Sequence, residues 1–458
     1  MKGLRVRSRR LGAASVVIVL LALLLAACES TPGAIPPPEE TRSASVDRSL
    51  TFGVFGTEKE VAAYESLVEV YNSLYDGAEM SVESYPSREV FMGTIRESGK
   101  VPDVFLASGR DLAWLEDNQV LQPVDSLLLE RGVDFGDLYS RDAVLAFSAD
   151  SRLQCMPVGI SPMVMFYNTE LIDFDTMEAR GLPVPDDERV SWGFEVFTAA
   201  AEFASKPRRG TRAIHVAPTV ENLAPFVYAG GGEVYDDATD PTSLAFSSEE
   251  SRSALEVVLP VLRDPRLTLS DEQLRRHSPM EWFTRGKLAM IQGYRSDVPK
   301  LRRAPGLRFD VIASPSVDRS ATVGELTGMC VSGGTDNVTA AADFLVHMTS
   351  SASLRSVASE GYLVPANLEV AVSTAFLQPG LAPDHAQVFT NAVRSIVLPP
   401  LIDDQSELEL VVSESLDELL TAPILADLEA LTTQIDEESR LVLDPEGLAA
   451  ESAESESP

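Results

Sequence analysis

Positive charge is scarce in this chain. Its 458 residues hold 37 Lys and Arg against 70 Asp and Glu, a formal charge of −33. Such a surface repels a phosphate backbone rather than neutralising it, which excludes nucleic acid as a partner. The same acidity keeps an exported protein apart from its neighbours and from anionic lipid. Histidine is also rare: the four, at 215, 277, 347 and 385, include no close pair with metal-ligand spacing, so the sequence offers no zinc site. Neither Gly-x-Ser-x-Gly nor a Walker-type phosphate loop occurs, and none of the many carboxylates is marked out as a glycosidase pair. There is no internal repeat and no heptad run.

The N-terminus is the exception to the charge pattern. Five positive charges fall in the first ten residues, an uncharged stretch runs from Leu11 to Ala27, and Leu25-Ala26-Ala27-Cys28 follows. A basic head, an apolar middle and small residues before a cysteine make an export signal of the bacterial lipoprotein type, with Cys28 as the lipidated first residue. The competing reading is an uncleaved anchor, since the apolar run almost spans a bilayer. Either way the remainder is extracytoplasmic, on the outer face of the cell membrane. Removal of residues 1–27, with five positive charges and no acid, leaves a charge near −38.

Two cysteines remain, Cys155 and Cys330. In an oxidising exterior they pair or stay as buried free thiols, and a bridge would constrain the unfolded chain strongly. Residues 28–48, rich in Pro, Ser and Thr, read as an extended linker. The acidic, Ala- and Ser-rich residues 444–458 read as a disordered tail. Roughly 400 residues lie between, more than one core usually serves, so two lobes are expected.

Short apolar runs alternate with amphipathic helices over this region, the pattern of an α/β architecture on largely parallel sheets. Leu50–Phe55 reads as the first strand, and Val61, Tyr64, Leu67, Val68, Tyr71 and Leu74 fall on one face of the helix after it. Thr57 and Glu60 have capping-box spacing at its start. The same grammar recurs at Val104–Ala107 with Ser108-Gly109-Arg110-Asp111 as the cap, at Ser248 before a helix reaching Leu262, and at Ser278-Pro279. Helix N-termini at strand ends are where open α/β sheets bind ligands.

Several segments, in order, resemble the sugar-binding family of extracellular solute-binding proteins, the maltose-binding-protein-like lipoprotein receptors of carbohydrate ABC importers. They are Val54-Phe55-Gly56-Thr57 with Glu60-Val61-Ala62-Ala63-Tyr64, Val101-Pro102-Asp103-Val104-Phe105, Cys155-Met156-Pro157, Val164-Met165-Phe166-Tyr167-Asn168, Trp192 at a helix start and Gly230-Gly231-Gly232. The fullest is Phe283-Thr284-Arg285-Gly286-Lys287-Leu288-Ala289-Met290, similar to the family's F-x-x-G-K-x-A-M. Tyr294-Arg295 through Arg302, then Phe309 to Pro315, resembles the multisugar and α-glucoside branch, and Ala340–Leu345 and Gly361–Ala366 complete the order. The chain departs from it where Tyr294-Arg295 lacks a tryptophan and where Ile160-Ser161-Pro162 adds a proline.

The resemblance implies a two-lobe clamp of the type II periplasmic-binding-protein class, crossed about three times by the chain. Residues 49–157 and 331–370 would form lobe 1, and residues 158–330 and 371–443 lobe 2. Cys155 and Cys330 then lie on neighbouring crossing strands, which favours the bridge. The expected ligand residues are Phe55, Gly56, Thr57, Glu58, Ser108 and Arg110 from the first lobe and Ser161, Tyr228, Gly231, Tyr294 and Arg295 from the second, with Tyr362 at the rim. In this reading Arg295 gives a planar fork of donors to vicinal hydroxyls and Tyr294 an amphipathic face. Thr57 and Ser108 have the simpler role of helix caps, and Arg110 and Arg295 that of interlobe or surface charges.

The implied function is non-catalytic, without cofactor or metal. A monomer tied to the membrane by lipid on Cys28 captures a sugar or oligosaccharide and delivers it to an ABC permease. Alternatives are the same fold with a phosphorylated polyol, a polyamine or a metal chelate, and an anchored glycoside hydrolase.

Overall fold

The computed structural model describes residues 49–455 except 401, 403, 404, 423 and 426. The signal segment, Cys28 and the linker lie outside the described residues.

Twelve strands are present among the described residues: β1 Leu50–Phe55, β2 Met80–Tyr85, β3 Val104–Ser108, β4 Leu121–Gln122, β5 Ser148–Ala149, β6 Arg152–Leu153, β7 Cys155–Pro162, β8 Val164–Asn168, β9 Arg212–His215, β10 Leu288–Gly293, β11 Phe309–Ile312 and β12 Gly324–Ser332. The larger sheet has the order β2-β1-β3-β12-β4, with β7 also paired to β12; the smaller has the order β11-β8-β10-β9. Parallel pairing holds for β1 with β2 and β3 and for β9 with β10, whereas β12 and β8 run antiparallel to their neighbours. The sheets are therefore mixed rather than largely parallel.

One apolar core packs the larger sheet and, through Val164, Phe166, Leu288 and Val311, one face of the smaller; a second covers the smaller sheet's other face. Around the larger sheet Phe52, Phe91, Phe105 and Phe344 are fully buried, with Phe344 edge-on to Phe52 at 5.1 Å and to Tyr71 at 5.0 Å. Phe197, Phe226, Phe246 and Met290 fill the core over the outer face of the smaller sheet. The helix Glu58–Leu74 buries Val61, Tyr64, Leu67, Val68 and Tyr71, but Leu74, its last residue, is 65 % exposed.

β7 and β12 connect the two halves. All eight residues of β7 are buried, and the chain turns from it directly into β8. The β7–β12 ladder runs from Cys155 opposite Cys330 to Pro162 opposite Gly324, with a register shift between Thr327 and Gly328. Lobe boundaries at 157/158 and 330/331 thus cut through strands that stay paired in the larger sheet as far as Pro162 and Gly324. A disulfide joins Cys155 to Cys330, with Cα atoms 4.3 Å apart. A further strand link is made where Thr322 exchanges backbone hydrogen bonds with Ser395 and Val397.

The tail differs from expectation. Pro445–Ser455 is helical, not disordered. Proline at the first helical position and Glu446 in the first turn favour the start, and Arg440 holds Asp444 at 2.9 Å and Glu451 at 2.8 Å. No helix among the described residues is long and apolar enough to cross a membrane.

Candidate functional site at the crossing strands

At the end of β1, Gly56 takes φ 143°, a conformation that glycine adopts readily. A Cβ there would come within 2.8 Å of the Glu60 carboxylate, so glycine lets Glu60 fold back over the helix start. Glu60 Oε2 accepts from the Thr57 amide at 2.8 Å, completing the capping box. At the end of β3, Ser108 accepts from the Arg110 amide and Asp111 accepts from the Ser108 amide and from Arg88. This tight turn points Arg110 across the gap, where its guanidinium meets Glu221 at 2.7 Å.

Glu221 sits in the first turn of the helix Val220–Ala229 in the smaller-sheet half. Thr219 caps that helix, and the Glu409 carboxylate accepts from the Val220 and Glu221 amides at 2.9 and 3.1 Å. The Tyr294 hydroxyl, just past β10, donates to the same Glu221 oxygen. One carboxylate thus receives Arg110 from one half and Tyr294 from the other. Although burial disfavours its charge, Glu221 and Tyr294 hold the Arg110 guanidinium above its ordinary pKa. Burial and Glu221 push the Tyr294 phenol well above its own.

Beside this bridge, Phe55, Gly56, Glu60, Ser161, Glu325 and Tyr362 line a cavity of about 170 Å³. Glu325 stands on β12 opposite Ser161 on β7. Its carboxyl is pushed up to about 7 by burial and then by Glu221, with Arg110 opposing and Asp297 and Glu60 adding to the rise. Burial also raises Glu60 and Asp297. Two smaller chambers adjoin along β12, one of about 140 Å³ beside Arg110, Gly324 and Leu398, the other of about 30 Å³ beside Arg110, Glu221 and Tyr228.

The structure therefore gathers Phe55, Gly56, Ser161 and Tyr362 around one chamber, Arg110 and Tyr228 around another, and Tyr294 at the bridge between the halves. Thr57 and Ser108 act as caps, Glu58 is exposed on the first helical turn, and Gly231 makes an exposed turn with φ 86° after Ala229. None of these four lines the three chambers.

Arg295 requires correction. It is wholly buried, donates from Nη2 to the Phe376 carbonyl at 3.0 Å and lies over the Phe376 ring, while its Nε and Nη1 have no hydrogen-bond partner; it lines none of the three chambers. Burial and the neighbouring Arg302 lower its pKa to about 9. Its backbone amide donates to Ser161 Oγ at 3.2 Å and fixes that side chain beneath the cavity.

Glu221 and Glu325 were not anticipated from sequence. Glu325 carried a signal, as the single charged residue in Thr322–Val331. Among the described residues no group of three or more His, Cys, Asp and Glu is arranged to hold a metal ion.

The family described as "Bacterial extracellular solute-binding protein" matches residues 66–383. The chain belongs to this family.

No curated protein matches the sequence of this solute-binding protein. Its fold is similar to an ABC substrate-binding protein from Listeria monocytogenes solved in complex with cycloalternan, with TM-score 0.71 and 19 % identity over 87 % of this chain and 98 % of that one. It is similar to the GacH receptor of Streptomyces glaucescens, solved unliganded and with acarbose, with TM-score 0.69 and 17 % identity over 86 % and 98 %. The cyclic α-maltosyl-1,6-maltose binding protein of Arthrobacter globiformis gives TM-score 0.69 and 16 % identity over 87 % and 99 %. At these identities the likeness establishes a two-lobe α/β binding-protein fold.

Proposed function

We propose that this solute-binding protein is the receptor of a carbohydrate ABC importer, holding a sugar or oligosaccharide between its halves and delivering it to a membrane permease without turning it over. The observation that carries this reading is the Arg110–Glu221–Tyr294 bridge beside chambers lined by Phe55, Tyr228 and Tyr362. Carboxylates and a guanidinium suit hydroxyls that both donate and accept, and aromatic faces suit sugar C–H surfaces. The oligosaccharide complexes of similarly folded receptors support the same ligand class. Phe55, Gly56, Ser161, Tyr228, Tyr294, Arg110 and Tyr362 are the proposed contacts, with Glu60, Glu221 and Glu325 added. Thr57, Glu58, Ser108 and Gly231 shape the turns that present them.

A ligand that touches both halves only when they are shut shifts the population toward the closed form. Lipid on Cys28 would hold the monomer at the outer face of the membrane. Adding the cognate sugar should raise the melting temperature and lower the radius of gyration in X-ray scattering, since ligand at about 100 times its dissociation constant stabilises by about 2.7 kcal/mol. A broad sugar panel producing neither signal overturns the proposal, and released monosaccharide after incubation would show an enzyme instead.

A further inference from the structure

The carboxylates of the cleft differ in what answers their charge. Glu60 accepts from the Thr57 amide, Asp297 from the Tyr294 amide at 3.1 Å, and Glu409 from two amides at the start of the helix Val220–Ala229. Glu221 has Arg110 and Tyr294. Glu325, whose side chain is exposed on β12, is the one of these five with no hydrogen-bond or ion-pair partner among the described residues. The charged groups bearing on it are Glu221, Asp297 and Glu60, with Arg110 as the single cation, already engaged.

A second, independent observation comes from the same cavity. Tyr362, 8 % exposed, lines it, and the Tyr362 hydroxyl is buried without a hydrogen-bond partner. A hydroxyl so placed costs stability unless something fills its valence. Phe55 and Tyr64 supply further aromatic surface to the cavity, and Glu360 a further carboxylate at its edge. An exposed carboxylate with no protein partner, an unfilled phenol and aromatic rings together form the chemistry that recognises an ammonium group on an otherwise polar, partly apolar ligand. A neutral hydroxyl would give Glu325 a hydrogen bond but no countercharge.

We infer that the cavity between Glu325, Glu60 and Tyr362 receives a protonated amine, so that the ligand is an aminated sugar or oligosaccharide. This rests on the carbohydrate reading above. The ammonium would donate to Glu325, the Tyr362 hydroxyl would bond a neighbouring ring substituent, and Phe55 would cover the C–H face.

The test is calorimetric titration of the whole mature protein with β-1,4-linked glucosamine dimer to tetramer, their N-acetylated counterparts, maltose to maltotetraose, and spermidine. The free-amine saccharides should bind about ten- to a hundredfold tighter than the N-acetylated ones, a difference that shrinks in high salt. Glu325→Gln should abolish the preference while leaving residual binding of the neutral forms. The wild-type comparison decides the matter even if that variant does not fold. Equal or tighter binding of a neutral saccharide overturns the amine inference and leaves the carbohydrate reading standing. Binding of spermidine alone overturns the carbohydrate reading, and no binding by any arm overturns both.

Discussion

The Cys155–Cys330 bridge closes a loop of 175 residues at the point where the chain passes between the halves. In the loop-entropy account, opening a loop of that length releases the denatured chain by about 5 kcal/mol, an upper value because real denatured ensembles keep some structure. Both cysteines are fully buried, so alanine is the replacement that leaves no unsatisfied polar group. Cys155→Ala/Cys330→Ala should lose about 3–5 kcal/mol in equilibrium urea unfolding. Reduced wild-type protein, unfolded in thiol, should fall at nearly the same midpoint, which separates chain entropy from any packing defect left by the missing sulfurs. Ligand affinity should hold within about threefold, since the β7–β12 ladder continues past the bridge to Pro162 and Gly324. If the double variant and the reduced protein both unfold within about 1 kcal/mol of the oxidised one, the crosslink is energetically idle and this reasoning fails.

Two further expectations concern the bridge and the cleft acid Glu325. Arg110 and Glu221 are about one-third and one-quarter exposed, so a double-mutant cycle with Arg110→Met and Glu221→Gln should return a coupling of about 1 kcal/mol; strict additivity in melting measurements would contradict an interlobe tie. The Glu325 carboxyl, at about 7 in the folded protein against an ordinary 4.5, sits beside Glu221, Asp297, Glu60 and Arg110. The native state therefore binds its proton more readily than the unfolded chain, giving stability that is full below the ordinary value and is lost as pH rises through about 7. Glu325→Gln should melt above wild type at about pH 8.5, with the gap closing by about pH 5; a pH-independent difference would show that the carboxylate is not held up by its surroundings.

Local signals read well from sequence. The caps at Thr57, Ser108, Ser248 and Ser278 stand where side-chain oxygens precede helical periodicity, and each begins a helical segment there. The cleft was legible only where it is built from those strand ends. Glu221 meets Arg110 across 111 residues, and no periodicity encodes that meeting. Arg295 misled because a loop arginine after an apolar strand reads as exposed, while its true partners, Phe376 and Phe389, come 81 and 94 residues later and form an aromatic seat for it. The terminal helix escaped notice because an acidic, alanine-rich composition suits both a solvated coil and a helix pinned by one arginine.

The register shift between Thr327 and Gly328 has a mechanical meaning. On its far side the ladder is stapled by sulfur; on its near side lie Ser161 and Glu325. Any swing of one half would have to be absorbed beyond the staple, with the shift as its fulcrum and the side chains next to it travelling least. A guest would thus settle first on a stationary floor and only afterwards be met by the moving jaw.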